Sequence, residues 1–142
     1  MLGMTDEFEK MLDSYWHGMI RLGATTVWEE FDPTQTGTEH YAMYGDKYGK
    51  SLCHAWGATP IYLLGKYYLG VYPTAPGFER YKVEPRVGGL GKISGTVPVC
   101  GGEVRVETDG ASVTVFSSVP GGTLVWRGAE YPIEAGKTLS IS

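Results

Sequence analysis

The sequence predicts an α+β chain, with two helices followed by an antiparallel β-sandwich of about seven strands. Three observations carry this. Apolar residues recur at helical spacing near the start. The period changes to two after Phe78. From there, short β-prone runs alternate with glycine-rich turn signals. The stretch from Gly70 to Gly77, rich in Pro and Gly, marks the change. It gives a helical segment over 1–72 and a β segment over 73–142.

The first helix is predicted from Phe8, Met11, Leu12, Tyr15, Trp16, Met19 and Ile20, which follow the i, i+3, i+4, i+7 series. Thr5 is placed to cap it, Asp6 and Glu7 complement its dipole, and Gly23 is a natural stop. Gly23 to Lys50 has no helical period and reads as a long loop after a short extended piece at Thr25–Trp28. A second helix is expected from Ser51 to about Tyr68. Pro60 inside it either kinks it or opens a fresh first turn capped by Thr59.

Beyond Phe78 the expected strands are Arg80–Glu84, Lys92–Val99, Glu103–Thr108, Ser112–Ser117, Thr123–Trp126, Glu130–Ile133 and Thr138–Ile141. Gly88-Gly89, Gly101-Gly102, Asp109-Gly110, Pro120-Gly121-Gly122 and Ala135-Gly136 separate most of them.

Composition narrows the function. Aromatic residues are 13% of the 142, including ten Tyr and four Trp, which argues against disorder. A net charge of −4 argues against a nucleic-acid partner. No apolar run is long enough to span a membrane, and the acidic amphipathic start is unlike a secretory leader. A soluble chain is expected, cytoplasmic by default. Cys53 and Cys100 read as free thiols. No ligand spacing suggests a metal, and no cofactor is implied. Gly88-Gly89-Leu90-Gly91 lacks the Lys-Ser/Thr of a phosphate-binding loop, and there is no Gly-x-Ser-x-Gly elbow.

Two dense stretches stand out. One is Gly23-Ala24-Thr25-Thr26-Val27-Trp28-Glu29-Glu30. The other begins Ser51-Leu52-Cys53-His54-Ala55-Trp56-Gly57-Ala58-Thr59-Pro60. Trp and Tyr stack on sugar rings, while carboxylates and imidazole serve hydroxyls and an attacking water. From about Phe8 to Val106, these motifs and the run through GKISGTVPVCGGEVRV resemble the C-terminal end of bacterial α-L-rhamnosidases. Those are inverting glycoside hydrolases with an (α/α)6 barrel and a C-terminal β-domain.

The resemblance implies that the two helices end such a barrel and that Glu29 is the general base. Only one of Glu29 and Glu30 can face a pocket from an extended backbone, and the neighbour Glu30 is expected among the substrate-binding residues. The resemblance makes His54 a sugar contact; by itself it reads equally as a structural hydrogen-bonder. Trp28 and Trp56 are stacking walls or core residues. The resemblance further implies a rhamnose-containing glycan as the partner. It places the general acid in upstream elements that this sequence lacks, so the chain alone is expected to be inactive. The apolar stripe of the first helix is expected to fold back, to self-associate, or to meet an upstream barrel fragment. The competing expectation is a non-catalytic carbohydrate-binding or structural module.

Overall fold

The computed structural model describes residues 5–142. The chain is α+β; the described residues form two helical segments and eight strands in two largely antiparallel sheets arranged as a sandwich. It divides into two compact units, Met1–Pro60 and Ile61–Ser142, and the division falls inside the short helix Thr59–Leu63.

In the first unit the helix over 5–21 has three parts. These are α1 (Thr5–Met11), a π turn (Leu12–Trp16) and α2 (His17–Arg21). The helix is already under way at Thr5, and the cap expected of that side chain lies outside the described residues. The π turn closes with the His17 N–H on the Leu12 carbonyl. It inserts one residue into the helical repeat. That shifts the apolar stripe: Met19 is buried and Phe8, Leu12, Tyr15 and Trp16 are half-buried, but Met11 and Ile20 face solvent. The end matches expectation. The Gly23 N–H donates to Ile20 and the Ala24 N–H to Met19, the paired bonds of a Schellman stop. Ala24 then packs on the cluster of Met19, Trp28 and Phe31.

The second helix starts later than expected. Ser51–His54 is not helical, with His54 extended at φ −126°, because its main chain is committed to pairing with residues 27–29. A 3₁₀ turn (Ala55–Ala58) leads into α3 (Thr59–Leu63) and a second π turn (Leu64–Tyr68). Pro60 falls in the first turn of α3, where its missing N–H costs nothing.

The second unit holds β1 (Val71–Pro73), β2 (Tyr81–Val83), β3 (Ile93–Val99), β4 (Gly102–Thr108), β5 (Val113–Ser117), β6 (Gly122–Trp126), β7 (Ala129–Ile133) and β8 (Thr138–Ile141). One sheet has the order β1-β2-β6-β7 and the other β3-β4-β5-β8. β1 is an addition to the seven expected strands. Three residues between Gly70 and Thr74 carry too little period-two signal to be seen in sequence. The β2–β6 pair is parallel, because the chain leaves the first sheet, builds β3–β5, and returns alongside β2. All other pairs are antiparallel. Arg127 and Gly128 join β6 to β7 with φ of 50° and 82°, a two-residue type I′ turn that matches strand twist.

The alternation predicted from sequence sets the inner faces. Val104, Val106, Val113 and Val115 of one sheet and Tyr81, Val83, Leu124 and Trp126 of the other are buried. A hydrogen bond of 2.6 Å between the Tyr81 hydroxyl and Ser117 Oγ links β2 of one sheet to β5 of the other. Tyr81→Phe is expected to lower stability by about 1 kcal/mol. The urea midpoint should fall with an unchanged slope; an unchanged midpoint would show that this bond contributes nothing.

Candidate functional site

Main-chain bonds bring the two motif stretches side by side in the first unit. The Glu29 N–H donates to the Ser51 carbonyl at 2.9 Å, and the His54 N–H to the Val27 carbonyl at 2.9 Å. The Thr26 hydroxyl donates to the Leu52 carbonyl. Two indoles complete the frame. Trp56 Nε1 donates to the Glu29 carbonyl at 2.7 Å, and Trp16 Nε1 to the Gly57 carbonyl at 2.8 Å. Gly57 is required for this closeness, since a Cβ there would stand 2.7 Å from the Trp28 carbonyl oxygen.

This frame aims Glu29. Its side chain is only 6% exposed. Oε1 accepts from the Tyr44 hydroxyl at 2.6 Å, and Oε2 accepts from the Ser51 N–H at 3.2 Å. His54 Nδ1 lies 3.9 Å from Oε2. The Tyr44 hydrogen bond is the main reason that Glu29 titrates below the usual glutamate range; burial opposes it, and the Ser51 N–H, His54 and Lys50 add to it. The same bond holds the Tyr44 phenol above its ordinary range. The result is an ionised carboxylate with a hydrogen-bond donor on each oxygen.

The other sequence-derived residues separate in environment. His54 packs against Trp56, with ring centroids 4.0 Å apart and the planes tilted by 41°. Trp56 is 62% exposed, with its indole N–H on the Glu29 carbonyl. Trp28 is buried in the aromatic core with Phe31 and Tyr41 and has no face toward solvent. Glu30 is half-exposed and stands 3.4 Å from Lys50 Nζ. The Lys50 side chain is 0% exposed, and its ammonium has no hydrogen-bond partner among the described residues. Its charge acts on Glu29 and Asp32 as well.

Tyr44, Ser51 and Lys50 belong to this constellation, and sequence did not link any of them to Glu29. Tyr44 sits fifteen residues from Glu29 in an aperiodic loop. The tight turn in which Met43 and Asp46 exchange N–H···O bonds brings it back, and no local pattern announces that. Among the described residues no group of three or more His, Cys, Asp or Glu side chains is placed to hold a metal ion. No described helix is long and apolar enough to cross a membrane. No protein-family model matches the chain, and no curated protein matches it.

Because the folded Glu29 titrates below its unfolded value, its ionisation contributes stability that is complete above the ordinary glutamate range. That contribution is lost as the pH falls through this range to the lowered folded value. Tyr44→Phe should move the Glu29 carboxyl midpoint upward in a ¹³C-NMR titration and flatten the acid limb of stability. An unmoved midpoint would remove Tyr44 from the site. Glu30→Gln, which strips the buried Lys50 of its nearby anion, should destabilise the chain more than Lys50→Met does. Chemical denaturation of the two variants checks the order.

Proposed function

We propose that the chain is the C-terminal part of an α-L-rhamnosidase-like inverting glycoside hydrolase, with Glu29 as its general base. One observation carries the reading: Glu29 is a sheltered, ionised carboxylate gripped by the Tyr44 hydroxyl and the Ser51 N–H, with imidazole and an exposed indole beside it. That is the equipment for the water-activating half of inversion. The carboxylate takes a proton from water as the water oxygen attacks the anomeric carbon, while a separate carboxylic acid protonates the departing oxygen. In this reading Trp56 stacks on the sugar, His54 contacts a hydroxyl, Glu30 steadies Lys50 and Trp28 supports the loop from the core.

The family resemblance puts the acid in upstream barrel elements. The proposal is therefore that the isolated chain does not cleave rhamnosides, since a base without its acid cannot complete the step. Purified chain incubated with an aryl α-L-rhamnoside should release aglycone at the buffer rate. Turnover abolished by Glu29→Gln would overturn the missing-acid part of the proposal. Exposure of Met11, Ile20 and Leu22 supports association of the first helical region with a second copy or with an upstream barrel fragment. A strictly monomeric sedimentation profile at high concentration would argue against the second copy.

A second reading is a module that holds a glycan without cutting it. The exposure of Tyr44, Tyr48 and Trp56 favours it. Binding of rhamno-oligosaccharide that survives Glu29→Gln and is lost in Trp56→Ala would select this reading over the catalytic one.

A further inference from the structure

The β-sandwich unit carries a cleft of about 330 Å³, well away in sequence from Glu29. Three segments build it: the residues after β2, the β4–β5 turn and the β6–β7 turn. Its volume is at the lower end of small-molecule sites. The polar groups around it are unevenly committed.

Its side-chain acceptors are each engaged at least once. Glu84 takes Arg86 on Oε1 at 2.9 Å and the Tyr72 hydroxyl on Oε2 at 3.2 Å. The Thr108 hydroxyl donates to the Ser112 carbonyl and accepts from the Gly110 N–H. The donors have capacity left. Arg127 uses one NH2 on the Ala111 carbonyl at 2.8 Å, and Arg86 uses one NH2 on Glu84. A guanidinium has five N–H groups in a planar fork. Trp126 lines the cleft with its side chain largely buried, and its indole N–H has no hydrogen-bond partner among the described residues. A buried donor without a partner is costly and rare. The Arg127 guanidinium lies 5.5 Å from the centre of the same ring. Pro85, Val87 and Val125 supply an apolar wall.

We propose that this cleft binds a small organic carboxylate, with the Arg127 fork and the Trp126 indole N–H as its donors. The donor without any partner is the Trp126 indole N–H, and the Arg127 fork has N–H groups to spare, so the ligand head is an acceptor. The planar fork suits a carboxylate, and the apolar wall calls for a carbon body rather than a bare ion. The ligand class covers acidic sugars and other organic acids of similar size. The proposal is independent of the role assigned to Glu29.

The test is a titration of the ¹⁵N-labelled full chain, following the Trp126 indole cross-peak, with glucuronate, benzoate, glucose and inorganic phosphate. Saturable movement with glucuronate or benzoate is the expected result. The stronger of the two identifies an acidic sugar or an aromatic acid. Arg127→Gln, in an exposed turn, should weaken that binding at least tenfold, about 1.4 kcal/mol. Trp126→Phe assigns the peak; should that variant not fold, through-bond assignment of the wild-type chain replaces it. The proposal is overturned by an unmoved peak with all four compounds, by glucose or phosphate acting as strongly as the carboxylates, or by binding indifferent to Arg127→Gln.

Discussion

A carboxylate taken out of water stays charged only where fixed donors replace the solvent. Glu29 meets that condition through one phenol and one main-chain N–H. Much of the first unit follows from supplying them. The loop after Pro33 has to return Tyr44 to Glu29, which it does through the turn at Met43–Asp46. The stretch at Ser51 has to run extended so that its N–H faces the carboxylate, and that delays the second helix to Ala55. Beneath this, Trp28, Phe31 and Met19 form the floor. Tyr15 joins floor to loop, since its hydroxyl accepts from the Phe31 N–H at 2.9 Å.

The second unit answers to a different constraint. Two facing sheets must alternate, and the aliphatic hydroxyls on their buried faces, Thr108 and Ser117, must find partners. Thr108 turns to the Asp109–Ser112 loop, and Ser117 to Tyr81 and Val119. Asp109 supports the same loop by accepting the N–H groups of Ala111 and Ser112. Those bonds hold its carboxyl below the usual aspartate range. Trp126 departs from this pattern of satisfied polar groups, its indole N–H having no partner among the described residues.

The strands were legible because a period of two survives any tertiary context that keeps one face buried. Runs such as Val104-Arg105-Val106 and Val113-Thr114-Val115 show it directly. β1 was not legible, being three residues long, nor was the parallel β2–β6 pair, whose partners are some forty residues apart. At the candidate site, sequence supplied Glu29, His54 and Trp56 through composition and family resemblance. It could not say that Trp28 would turn inward while Trp56 stayed out, because adjacent main-chain pairing decides which way each indole points. Tyr44 and Lys50 reach Glu29 through loop closure, which leaves no periodic trace.

The widened turn at Leu12–Trp16 also fixes how the first helical stretch counts its residues. An α-helix advances about 100° per residue. Losing its extra residue would let the turn close to ordinary α geometry with 5–11 and 17–21 still in phase. Closing it with every residue kept would instead swing 5–11 by about that angle relative to 17–21 and carry the half-buried Phe8 off its present face. The wide geometry of this five-residue segment is therefore what keeps the two flanks of the helix in register.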